Sequence, residues 1–165
     1  MEIVKNKQIK ALIRRLEAVY DGQPWYGANV MTSLKQVSSE ISHRAFIPGK
    51  KSIAETVRHI VAWRQFLIEQ LNGNTTFKIE LNTPLDWPPV QGLSWQELLV
   101  ELADSQKTLV QLLSQKDDTL LKEKLHHDKY EYNFRYLIEG VIQHDVYHLG
   151  QINLLRALFQ AQANS

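Results

Sequence analysis

The 165-residue chain contains no cysteine. That absence removes disulfides, thiolate nucleophiles, Cys-ligated zinc and iron–sulfur clusters together, and it leaves any metal to imidazole and carboxylate. Charge of one sign is missing too: 19 Lys and Arg stand against 18 Asp and Glu, a net of +1. Without the basic stripe that phosphate backbones require, nucleic-acid binding is not expected. No apolar run approaches the roughly 18–20 residues that span a bilayer, and the charged amino end MEIVKNKQIKALIRR has no signal-peptide core. A cytoplasmic protein with no membrane partner is expected. Glycine-rich and nucleophile motifs fail as well. Pro48-Gly49-Lys50-Lys51-Ser52 resembles the end of a phosphate-binding loop, but the earlier glycine falls at Arg44 and the hydroxyl position holds Lys51. Neither G-x-S-x-G nor a dinucleotide-binding glycine run occurs.

What the chain does have is helical periodicity. With 44% hydrophobic and 22% charged residues, residues 1–165 fit one soluble domain, and a globule of this size buries about 68–70% of its unfolded-chain surface. Residues 2–20 place Ile9, Leu12, Ile13, Leu16 and Val19 on one helical face, ended by Gly22 and Pro24. Residues 28–43 read as one or two short helices. Ser52 with Glu55, and Ser94 with Glu97, are capping boxes that open two long helices ending near Asn72-Gly73 and Ser114. Residues 73–93 hold no sustained periodicity beyond a brief alternation at Phe77, Ile79 and Leu81. The stretch 115–132 reads as a loop with a helical turn. A last helix runs from about Asn133 to Ala161, with Leu137, Val141, Ile152, Leu155 and Phe159 on its stripe. Four long amphipathic helices and no convincing sheet predict an all-α bundle.

The stripe of the last helix is interrupted by His144 and His148. Four residues turn a helix by about 400°, so both imidazoles share one inward face, a turn apart, as two ligands of one metal must. A hydrogen-bonded core pair has the same spacing, and the spacing leaves both readings open. His59, beside the Ile53, Ile60 and Leu67 face of the second long helix, is either a satisfied core histidine or the inward-facing ligand from a neighbouring helix that a bundle-core metal site uses. His144-Asp145-Val146-Tyr147-His148 has the form of the zinc-protease motif with aspartate for glutamate. No Asp, Glu or His follows His148, so the usual downstream ligand of that motif is missing. Asp145, turned about 100° from the His144 face, is expected at the surface or behind the ligands. His43, His126 and His127 are expected at the surface. Trp25 and Trp63 are candidates to wall a pocket, with plain core the expectation for Trp63.

Pro24-Trp25-Tyr26-Gly27, the segment Ser52–Trp63 with its His59, the Trp95-led third long helix, and the His144, Tyr147, His148, Gly150 and Gln151 pattern together resemble the DinB-like family of metal-dependent enzymes. The resemblance covers nearly the whole chain, and the spacing of the three histidines is its specific part. It implies a four-helix bundle of up-down-down-up connectivity with a long crossover between helices two and three, commonly as a homodimer. It also implies a divalent transition metal, zinc or nickel, held by His59, His144 and His148 with positions open to water or substrate. Family members include transferases that use a low-molecular-weight thiol. A small-molecule substrate with a small thiol is therefore one expectation. A metal-dependent hydrolase, with Asp145 or Glu55 as base, and a non-catalytic metal-stabilised module are the others. The missing cysteine means that any reacting sulfur arrives with a cosubstrate.

Overall fold

The architecture comes from a computed structural model that describes residues 6–126 and 131–163. Its elements in chain order are α1 (Lys7–Tyr20), α2 (Val30–Leu34), α3 (Ser39–Ser42), α4 (Ile53–Leu71), α5 (Trp95–Ser114), a 3₁₀ turn (Leu120–Lys122), β1 (Lys124–His126), β2 (Glu131–Asn133) and α6 (Phe134–Ala163). The protein is mostly helical, as the periodicity predicts. Both capping boxes form: Ser52 Oγ accepts from the Glu55 backbone N–H at 3.2 Å while the Glu55 carboxylate accepts from the Ser52 N–H at 2.9 Å, and Ser94 and Glu97 repeat the exchange. Each box satisfies two N–H groups that a helix start leaves orphaned.

The four long helices bury their stripes against one another. Helix α4 packs on α5 and α6, and α1 packs on the same two helices. Leu16, Ile53, Ile60, Leu67, Leu98 and Ile152 are among the side chains almost wholly withdrawn from water. Helix α1 has no cap of its own, since the Asn6 side chain makes no capping bond. Asp118 supplies one from the far side of the sequence: its Oδ1 accepts from the backbone N–H groups of Gln8 at 3.0 Å and Ile9 at 2.9 Å. The negative carboxylate also suits the positive end of the helix dipole.

Two expectations need correction. The stretch read as a loop with a helical turn holds that turn, at Leu120–Lys122, but continues as a two-stranded antiparallel hairpin that pairs Leu125 with Tyr132. Strands of three residues are too short to show an alternation of period two, so periodicity could not announce them. His126 lies in β1, and His127 is outside the described residues. The second correction concerns Asp145, whose surroundings are given below. Residues 73–93 form neither helix nor strand, as expected. Phe77 and Ile79 pack on the core while Leu81 is exposed, and Gln70 Nε2 ties the start of the segment to α4 by donating to the carbonyls of Asn74 and Phe77. Among the described residues no helix is long and apolar enough to cross a membrane.

Candidate metal centre

Helix α4 contributes His59 and helix α6 contributes His144 and His148. All three rings converge where the two helices pack. The Nε2 atoms of His144 and His59 are 3.0 Å apart, and those of His148 and His144 are 3.1 Å apart. His59 and His148 are buried and His144 half-buried. Their outer nitrogens settle the proton positions. His59 Nδ1 lies 2.6 Å from the Asp86 carbonyl and His148 Nδ1 lies 2.7 Å from Gln151 Oε1. Both acceptors can only accept, so each Nδ1 donates and each Nε2 presents a bare lone pair to the centre. His144 Nδ1 is buried without a partner.

That pattern tests whether the residues fit a cation. If His144 carries its proton on Nε2, it can serve one of the two facing lone pairs and leaves the other, with its own buried Nδ1, unsatisfied. Three lone pairs converging on one point are satisfied together by a positive ion. Two imidazole nitrogens about 2.0–2.1 Å from one zinc ion at tetrahedral or right angles lie roughly 2.9–3.4 Å apart. The separations of His144 from His59 and from His148 fall in that interval, all three nitrogens lie within 4.8 Å of one another, and the three residues could hold a metal ion.

Sequence reasoning missed the groups that orient the rings. Asp86 and Trp87 come from the unpatterned connection, where no periodicity marks an inward position. Asp86 is buried, and its Oδ1 accepts from Trp63 Nε1 at 2.9 Å and lies 3.2 Å from His59 Nδ1. Its Oδ2 accepts from the backbone N–H of Asn82 at 2.8 Å. Asn82 has φ 62°, a left-handed conformation that asparagine tolerates better than most residues. Trp87 stacks on His59 with ring centroids 3.8 Å apart and planes within 6°. Trp63 is therefore not plain core. It walls a cavity of about 600 Å³ that opens beside the three histidines and is also lined by Thr56, Trp87, Tyr147 and Gln151. Trp25 lies elsewhere: it is 97% exposed, at the edge of a second cavity lined by Ile142 and Val146.

Neither carboxylate that sequence reading offered as a base faces this cavity. Glu55 is committed to the helix cap and to Lys51, 3.0 Å away. Burial opposes its ionisation, but the Ser52 and Lys51 contacts hold its carboxyl below the usual range. Asp145 is not a surface acid. It is completely buried on a neighbouring face of α6, where its Oδ2 accepts from Arg64 Nη2 at 2.7 Å and Arg64 Nε at 3.1 Å. The turn of about 100° from His144 was read correctly, but at this level of α6 that direction also points into the protein, towards α4 and α5.

Burial keeps the three imidazoles neutral. His144 is pushed down to about 3 by desolvation and then by the charges of His148, His59 and Arg64. Desolvation lowers His59 against the pull of Asp86, and lowers His148 against its bond to Gln151. Below pH 6.5 the unfolded chain thus binds protons that the native metal-free protein refuses. Stability of the chelated protein is expected to be flat above that pH and to fall as pH drops from about 6.5 toward 3. Urea midpoints across that range check this, and a midpoint that rises on acidification would contradict it.

Comparison with known proteins bears on the same residues. A family model described as the DinB superfamily matches residues 26–152, a span that contains all three histidines, Asp86 and Gln151. The chain belongs to the DinB superfamily. No curated protein matches it. Its fold is similar to two solved structures. One is a DinB-like protein, YjoA, of Bacillus subtilis, with 14% identity over 93% of each chain and a TM-score of 0.59. The other is an uncharacterised protein of Escherichia coli UTI89, with 11% identity over 96% of each chain and a TM-score of 0.65. In this DinB-superfamily chain, Gln151 fixes the His148 ring from behind the candidate site. Groups that orient a ligating histidine typically account for 10–100-fold in metal affinity. Gln151→Ala is expected to weaken zinc binding by about that factor without unfolding the protein, as titration calorimetry and circular dichroism will show.

Proposed function

We propose that His59, His144 and His148 hold a divalent transition ion, zinc or nickel, and that the protein is a metal-dependent transferase acting on a low-molecular-weight thiol. The observation that carries this reading is that the histidine cluster opens onto a cavity in which no carboxylate is free to act as a base. Among the described residues the cavity's one acid is Asp86, already committed to His59, Trp63 and Asn82. An all-imidazole donor set suits zinc and nickel. A cation there supplies charge that lowers the pKa of a thiol, so that the sulfur reacts as thiolate at neutral pH.

Such a substrate needs the least from this chain. The S–H proton leaves to solvent, the sulfur forms a bond to the carbon of an electrophile, and the leaving group departs with its electron pair. The protein's own residues hold and shield the reactants. Trp63 and Trp87 wall the cavity and limit access of water, while Asp86 and Gln151 keep the imidazoles aimed inward. Hydrolysis at the same centre draws less support, because Glu55 and Asp145, the bases it would use, both point elsewhere. A purely structural ion is disfavoured by the open cavity, since structural sites are closed.

The reading includes the up-down-down-up connectivity of the family, with residues 73–93 as the crossover, and a cytoplasmic homodimer that takes small molecules rather than nucleic acid. Gel filtration with light scattering tests the dimer. For the reaction, metal-loaded protein mixed with monochlorobimane and a panel of bacterial thiols is expected to form the thioether in a metal-dependent way. His148→Ala abolishes that turnover. Absence of turnover with every thiol, or equal rates after chelation, overturns the proposal.

A further inference from the structure

The turn that failed as a phosphate-binding loop has a different use. Pro48 and Gly49 occupy the centre of a tight turn, closed by the Lys50 N–H donating to the Ile47 carbonyl at 3.0 Å, with Gly49 at φ +74°. Proline followed by a glycine of positive φ is the arrangement of a type II turn. The turn ends at the mouth of the cavity beside the histidines, and delivers Lys50 and Lys51 to its lining. Lys51 Nζ is held there, 5.1 Å from the Trp87 ring centroid and 3.0 Å from Glu55 Oε1. Lys50 is exposed and makes no ion pair among the described residues.

The rest of the mouth is largely apolar. Ile47, Leu81, Leu154 and Leu155 line it, and the first three are large hydrophobic side chains left 44%, 71% and 61% exposed. Such residues around a concave site mark a place that a ligand covers. The charge balance of the lining is one-sided. Among the lining residues two lysines stand with one carboxylate, Asp86, which is buried and turned toward His59 and Trp63, while Lys51 also pairs with Glu55 outside the lining and Lys50 carries the uncompensated charge. An anion is therefore the complementary ligand at the mouth.

We infer that the cavity takes an amphipathic organic anion: a carboxylate or phosphate group set against Lys50 and Lys51, with an apolar portion on the Ile47, Leu81, Leu154 and Leu155 wall and the reacting end toward the histidines. This deepens the proposed function by assigning the class of its substrate, and rests on that reading only for the direction in which the reacting end points. A volume of about 600 Å³ fits a small organic molecule.

The test uses three probes of one length, octanoate, 1-octanol and octylamine, titrated calorimetrically into chelated protein and into zinc-loaded protein. In the chelated protein octanoate is expected to bind about five- to tenfold more tightly than the other two, the size expected of two partly exposed cationic contacts. The Lys50→Gln, Lys51→Gln double variant loses that preference. Leu154→Asp, at an exposed position that keeps the fold, turns it toward octylamine. If the protein takes up no zinc while the lysine-dependent preference stands, the anion site holds and the metal reading fails. Equal binding of the three probes, no binding of octanoate, or a preference unchanged in both variants overturns the inference.

Discussion

Asp145→Leu is expected to destabilise the protein by about 3–5 kcal/mol, the usual loss when one member of a buried ion pair is removed. For a chain of this length that corresponds to roughly 6–20 °C in melting temperature. The reason is what remains. Arg64 is completely buried, with its guanidinium in contact with every long helix: it bonds Asp145 of α6, reaches the Leu102 carbonyl and Ser105 Oγ of α5 at 3.5 and 3.3 Å, and lies 5.4 Å from the Tyr20 ring of α1. Without Asp145 it is a cation with no counter-charge and no route to water. Burial also strains the carboxylate: desolvation pushes Asp145 above its ordinary range while Arg64 pulls it back, and its Oδ1 has no hydrogen-bond partner. Removing both charges in Arg64→Met, Asp145→Leu is therefore expected to recover most or all of the loss, since Ser105 Oγ already donates to the Leu102 carbonyl at 2.7 Å and is not orphaned. Thermal melts of the two single variants and the double decide the matter. A double variant as unstable as the sum of the singles would show that the residues are not coupled.

The second large effect concerns metal content. Protein purified without added metal is expected to carry one equivalent of zinc or nickel, and His144→Ala, His148→Ala and His59→Ala are each expected to lose it, as elemental analysis will show. Free metal at 100 times its Kd contributes about 2.7 kcal/mol to the folded state, so chelation is expected to lower the melting temperature by roughly 5–11 °C. The same treatment applied to the histidine variants is expected to change nothing. Retention of stoichiometric metal in His59→Ala would remove the α4 histidine from the ligand set.

Much of this was legible in the sequence, and what was not has identifiable causes. Helix starts at Ser52 and Ser94 are written in residues three apart, a distance over which local chemistry acts unaided. The facing of His144 and His148 follows from a period that α6 keeps through its length. His59 was placeable beside the inward face of α4, but whether it meets the other two depends on how α4 and α6 pack, which one helix cannot specify. Asp145 was misjudged because angular position on a helix predicts burial only where the opposite face meets water, and α6 is enclosed on more than one side there. Asp86 and Trp87 left no pattern at all. Their placement depends on the turn at Asn82 and on anchoring by Gln70, contacts that no repeat announces.

The cap on α1 has a consequence for synthesis. During synthesis, helix α1 depends for its opening turn on a carboxylate that lies 110 residues downstream of Gln8. At about 5–20 residues per second, some 5–20 s separate the two. Until then the first turn of α1 has bare N–H groups, and its partner α6 has yet to be made. Helix α1 is accordingly open to chaperones throughout that interval. Its closure by Asp118 records that α5 is complete.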